Sequence, residues 1–111
     1  MVEERRRTTR ARVYLPARLQ QVSPSRALET LTKDLSDEGV RCLSPVSFPV
    51  ATELSVELGL TRGSEPVTIK GRLAWFRSLP YSEQFDLGIV FTEVSPQTKR
   101  RLSTYLERLS K

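Results

Sequence analysis

Apolar residues recur at every second position through much of this chain, and that period constrains its fold more than any other feature. Leu54, Val56, Leu58 and Leu60 alternate with Glu53, Ser55, Glu57 and Gly59. Phe85, Leu87, Ile89 and Phe91 repeat the pattern, and Val13, Leu15, Ala17 and Leu19 fall on one face in the same way. Successive side chains of an extended strand point to opposite faces, so this spacing buries one face of a strand. The spacing predicts strands over 13–19, 26–33, a short piece from Val40 to Cys42, 52–60, 67–77 and 85–91. Pro16 suits an edge or a bulge, and Gly71 marks a bend in the long fifth strand. Turn signals separate the runs: Ser23-Pro24-Ser25, the polar segment Asp34 to Gly39, Arg62-Gly63-Ser64 and Leu79 to Ser82. Ser44 to Ala51, with two prolines, reads as a connecting loop.

The period changes once. Leu102, Tyr105, Leu106 and Leu109 sit at i, i+3, i+4 and i+7, the stripe of an amphipathic helix. Ser95-Pro96 ahead of them supplies an N-cap and a first helical residue. Six short strands and one helix predict an all-β fold, a small six-stranded antiparallel β-barrel with a C-terminal α-helix. Closure of the barrel removes exposed sheet edges. The length of 111 residues suits one core. Residues 1–11 show no apolar period and read as a flexible basic arm, which leaves 12–111 for the barrel and its helix.

Composition excludes much chemistry. There is no histidine, so no imidazole catalysis. The one cysteine, Cys42, forms neither an internal disulfide nor a Cys/His zinc site. No phosphate-binding P-loop or dinucleotide fingerprint is present. The chain therefore reads as a binding module and not an enzyme, with no cofactor. No apolar run reaches the length of a membrane span. The N-terminus is charged from Glu3 onward, so no secretory signal is expected, and a lone thiol suits a reducing, cytoplasmic compartment. The net charge of +5 is concentrated at the ends: residues 1–12 carry +3, residues 95–111 carry +4, and the middle is −2. Such ends point to an anionic partner or to solvated termini.

Two polar segments serve no core pattern. One is Arg5-Arg6-Arg7-Thr8-Thr9-Arg10, and the other is Asp34-Leu35-Ser36-Asp37-Glu38-Gly39. Guanidinium groups match phosphate oxygens and the guanine O6/N7 edge bidentately, and they stack on bases. A carboxylate accepts from guanine N–H donors, while a serine hydroxyl and loop amides bind phosphate oxygens. Together these are parts for holding a guanine nucleotide, without the machinery for transferring its phosphate.

Arg6-x-x-x-Arg10 followed by Asp34-x-Ser36-x-x-Gly39 resembles the PilZ domain family. Gly71-Arg72-Leu73-Ala74-Trp75 resembles that family's late strand, and Phe85-Asp86-Leu87-Gly88-Ile89-Val90-Phe91 its closing strand. The resemblance implies a six-stranded barrel that binds cyclic di-GMP, a bacterial second messenger. It also implies roles by position. Arg6 and Arg10 grip guanine and phosphate, and Arg5 adds a cation. Asp34 bonds a guanine edge, Ser36 meets phosphate and Gly39 allows close backbone approach. Trp75 matches a position whose ring borders the ligand. Asp37 and Glu38 place negative charge beside an anionic ligand.

The resulting expectation is a cyclic di-GMP receptor or adaptor. The arm and the Asp34–Gly39 loop would clamp the dinucleotide and expose a surface to an effector protein that the sequence does not identify. Two alternatives compete: a nucleotide-independent PilZ-like adaptor, and a small barrel that binds RNA or DNA. Intact motif residues argue against the first. Against nucleic acid, Phe85, Phe91 and Tyr105 lie on apolar stripes and are not interleaved with surface charge, where stacking on bases would need them.

Overall fold

The computed structural model describes residues 10–109. Seven strands and one helix follow in chain order: β1 (Ala11–Arg12), β2 (Pro16–Gln21), β3 (Arg26–Leu35), β4 (Gly39–Ser44), β5 (Glu53–Leu58), β6 (Val67–Ser78), β7 (Phe85–Glu93) and α1 (Pro96–Leu109). All pairings are antiparallel, in the order β1-β3-β2-β5-β6-β7-β4. A further β3–β4 pairing joins the ends, so β2 to β7 form the closed six-stranded barrel expected from the period. The inward faces are the alternating residues: Leu19, Val56, Leu58, Ile69, Leu73 and Leu87 are all at most 1% exposed.

Three local departures from simple alternation shape the rim. The predicted strand over 13–19 is broken, with Ala11–Arg12 and Pro16–Gln21 both pairing with β3 and residues 13–15 between them. Pro16 has no amide hydrogen to donate. The gap is closed by Thr32, whose fully buried hydroxyl accepts from the Leu15 N–H at 2.9 Å and donates to the Val13 carbonyl. Replacing Thr32 by Val would leave both backbone groups without that partner, at a cost of about 1–3 kcal/mol. We expect Thr32→Val to lower the urea midpoint accordingly and Thr32→Ser to restore most of it.

The second departure corrects the loop assigned to Asp34–Gly39. Asp34 and Leu35 end β3, and Gly39 opens β4. A bulge between Thr32 and Asp34 shifts the β3–β4 register, which masks the alternation in this stretch. The turn is Ser36–Glu38, closed by Ser36 N–H to the Gly39 carbonyl at 2.9 Å. The left-handed backbone that would make Gly39 an ordinary turn glycine is absent, for its φ is not positive. Its small size has another cause. A Cβ there would lie 2.5 Å from the Ile89 carbonyl oxygen, so glycine lets β4 run close against β7.

The third departure lies in β6. At Gly71, where a bend is expected from the sequence, the register shifts between Lys70 and Gly71, and a Cβ would lie 2.6 Å from the Val90 oxygen. A second shift between Leu73 and Trp75 leaves Ala74 as the extra residue and sets Trp75 opposite Gly88.

The helix begins as expected. Ser95 Oγ accepts from the Thr98 N–H at 3.1 Å, and Pro96 occupies the first helical position. Leu102 and Leu106 are buried against the barrel, Tyr105 packs at the edge of the core, and Leu109, the last member of the stripe, is exposed. Among the described residues no helix is long and apolar enough to cross a membrane. Cys42 is fully buried, and burial followed by the nearby Asp34 charge pushes its thiol up to about 12. It therefore stays a protonated core residue at neutral pH.

Candidate functional site

Where β1 leaves the barrel rim, Arg10 is the first described residue, and pairing of Arg12 with Asp34 holds it beside the end of β3. Arg10 forms an ion pair with Asp34 Oδ1, and its other amine donates to Ser36 Oγ at 3.2 Å. The two motifs, 24 residues apart in sequence, thus meet through one guanidinium. Ser36 is fully buried. Its hydroxyl accepts from Arg10 and from the Glu38 N–H at 3.1 Å, and it makes a longer contact with the Gly39 carbonyl at 3.4 Å. In this structure Ser36 acts on the site through Arg10 and through the turn.

A cleft of about 450 Å³ opens at this rim. Arg10, Asp34, Glu38, Gly39, Arg41 and Trp75 line it, with Gly88 and neighbouring β7 backbone on the far side. Trp75 is 42% exposed. Its indole lies over Gly88, where a Cβ would come within 2.2 Å of Cε2 and Nε1. A bulge and a glycine together therefore present an aromatic face at the cleft, half covered and half open. Asp37 contributes one feature more: its Oδ1 is buried and has no hydrogen-bond partner among the described residues.

Reasoning from the sequence missed the second tier of charge. Arg41 donates from Nε to Asp34 Oδ2 at 2.9 Å, and its NH2 group lies 2.8 Å from the same oxygen. Its NH1 group lies 3.5 Å from Asp86 Oδ2. Asp86 is fully buried and accepts from Lys33 and Arg77, each at 2.8 Å. Burial on its own would raise the Asp86 carboxyl. Hydrogen bonds from Lys33 and Arg77, with the charges of Lys33 and Arg41, outweigh it and hold the group below 3.8. The signal was present in the sequence: a lone carboxylate inside Phe85–Phe91, the most apolar run of the chain, needs partners.

The network therefore runs Arg10–Asp34–Arg41–Asp86, with Lys33 and Arg77 beyond. Four cations face Asp34 and Asp86, and Glu38 adds a third carboxylate at the cleft wall. The described part of the site is thus close to neutral. The structure brings Arg10, Asp34, Ser36, Gly39 and Trp75 together at one rim. Arg5 and Arg6, and the arm over residues 1–9 that carries them, lie outside the described residues, while Ala11, the last residue assigned to that arm, pairs with Leu35.

A closed six-stranded antiparallel barrel with a charged cleft at one rim and a helix after its last strand defines a class of small β-barrel modules. The sequence matches the PilZ domain model over residues 4–108, and the chain belongs to the PilZ domain family. No curated protein sequence matches it significantly. Solved structures share the fold at low identity. The inhibitor of motility MotI/DgrA of Bacillus subtilis superposes with a TM-score of 0.78 at 18% identity, covering 94% of this chain and 50% of that one. The PilZ domain of Escherichia coli YcgR, solved with c-di-GMP, gives 0.73 at 18% identity, covering 96% and 92%. The PilZ domain of CeSA from a cellulose-synthesizing bacterium gives 0.68 at 17% identity, covering 93% and 99%. This chain thus spans the whole of isolated PilZ domains and about half the length of MotI and of full YcgR.

Proposed function

We propose that this protein is a cyclic di-GMP receptor, with no catalytic step of its own, whose basic arm closes over the cleft when ligand binds. The observation that carries the reading is the meeting of Arg10 with Asp34 and Ser36 beside an exposed tryptophan face. Membership of the PilZ family and the ligand-bound YcgR domain support it. Asp34 offers a carboxylate to a guanine edge, Trp75 offers a surface against a base, and Gly39 keeps the β4 wall low. The described site is close to neutral, so in this reading the excess positive charge comes from Arg5 and Arg6 with their neighbour Arg7. Two phosphates need such a source. Like charges in the arm oppose its closing without a counter-anion; a bound dianion brings two negative charges for its arginines to share, and the contacts must exceed the entropy of ordering the arm. Arm, ligand and rim would then form a surface for an effector protein, within the cytoplasm.

Amide hydrogen exchange tests the closing arm. Residues 4–10, ahead of the β1 pairing that begins at Ala11, should gain protection when cyclic di-GMP saturates the protein and should exchange freely without it. Exchange in that segment unchanged at saturation would remove the arm from the mechanism.

A further inference from the structure

A second cleft, of about 330 Å³, lies between α1 and the loop joining β5 to β6. Arg100, Arg101 and Arg108 approach it from the helix, and Thr61, Ser64 and Thr104 supply hydroxyls. Its lining contains no carboxylate. Arg101 donates to the Glu65 carbonyl at 2.7 Å, which ties the helix to the loop, and Thr61 donates to Ser64 Oγ at 2.8 Å within the loop. Arg100 and Arg108 are exposed and make no ion pair among the described residues. A wall with uncompensated guanidinium groups and hydroxyl donors is built to take carboxylates or phosphates. This cleft is separate from the nucleotide cleft. The two clefts share no lining residue.

We propose that this cleft docks an extended acidic segment of a partner protein. The spacing of the charges selects that occupant. Arg100 and Arg108 are eight residues apart on the helix, about 12 Å at about 1.5 Å per residue. Acidic residues at i, i+2 and i+4 of an extended peptide point to one side and span about 13 Å. A peptide of that pattern meets both free guanidinium groups at once, with the hydroxyls of Thr61, Ser64 and Thr104 between them. Nucleic acid is disfavoured because Tyr105, the aromatic residue of the lining, is partly buried and packs against the core instead of standing clear of it for stacking. The proposal does not depend on what the first cleft binds.

The test is fluorescence anisotropy of the intact protein with a short labelled peptide alternating Glu with Thr, at physiological salt. Saturable binding is expected, weakened about tenfold or more in Arg100→Ala/Arg108→Ala. The control Arg18→Ala/Arg26→Ala removes the same charge from exposed positions on other strands and should bind as the wild type does. Should the first pair lower the melting temperature, Arg108→Glu alone, at the exposed end of the helix, reads the same contact. Absence of binding, or equal loss in both pairs, would overturn the proposal. Displacement by low-millimolar inorganic phosphate would reduce the cleft to a simple anion site. Tighter binding of a single-stranded oligonucleotide with the same arginine dependence would make the face one for nucleic acid, which also overturns it.

Discussion

Arg10→Ala is expected to weaken cyclic di-GMP binding about a hundredfold while leaving the barrel folded. The size follows from the contacts. In the proposed complex Arg10 pairs with a ligand phosphate away from water; removing one partner of such a pair costs about 2–5 kcal/mol, and 1.4 kcal/mol is tenfold in affinity. Arg10 is the group that joins both motifs, so its loss frees the Asp34 and Ser36 side chains from a common anchor. The fold should tolerate this. The Arg10 side chain is 47% exposed, and an ion pair that exposed contributes at most about 1 kcal/mol to stability. Asp34 also keeps Arg41 as a partner at 2.8–2.9 Å. Titration calorimetry with a thermal melt on the same sample checks both halves. Wild-type affinity in Arg10→Ala would show that the motif is misassigned.

Asp86→Ala should have the opposite profile, with a large loss of stability. The carboxylate is fully buried and receives Lys33, Arg41 and Arg77 from three different strands, so it fastens β3, β4 and β6 to β7. Breaking a buried ion pair by deleting one side costs about 3–5 kcal/mol, because the remaining charges lose their compensation. The Lys33 and Arg41 side chains are each 28% exposed and recover some hydration, so about 3 kcal/mol is expected, a fall of about 1–3 M in the urea midpoint. The pH dependence has a definite sign. The Asp86 pKa is lowered on folding, so its contribution is complete above the unfolded value near 3.8 and is lost as pH falls through the lower folded value. The gap between wild type and Asp86→Asn should therefore be constant from neutral pH to about pH 5 and narrow below about pH 4. A gap independent of pH down to acid unfolding would mean that the Asp86 charge does not stabilise the fold.

The strands of the barrel were legible because burial on one face forces a period of two, and Leu54 to Leu60 shows it without interruption. The helix was legible from its Ser95-Pro96 start and its stripe. What escaped was each place where a side chain or a bulge replaces a regular backbone bond. The break at residues 13–15 depends on Thr32, a residue 17 positions away from Leu15. The end of β3 at Leu35 was hidden by the bulge after Thr32, which turned two strand residues into an apparent loop. In the site, Arg10, Asp34, Ser36 and Gly39 stood out through their pattern, whose remaining member, Arg6, lies outside the described residues. Arg41, Lys33 and Arg77 did not, because a single cation on the outer face of a strand looks like ordinary surface until the fold sets Asp86 among them. Gly39 shows the limit of motif reading most clearly. Its place in the pattern was seen, yet the contact that requires a glycine there is the backbone of β7.

The central claim is that this barrel receives cyclic di-GMP, and calorimetric titration with that dinucleotide, with GTP as control, tests it most directly. Saturable binding of cyclic di-GMP without binding of GTP is the predicted result, and its stoichiometry gives the number of ligands per chain. No heat, together with no binding in a second assay at physiological salt, would contradict the account. It would leave the arm as a docking surface of a nucleotide-independent adaptor.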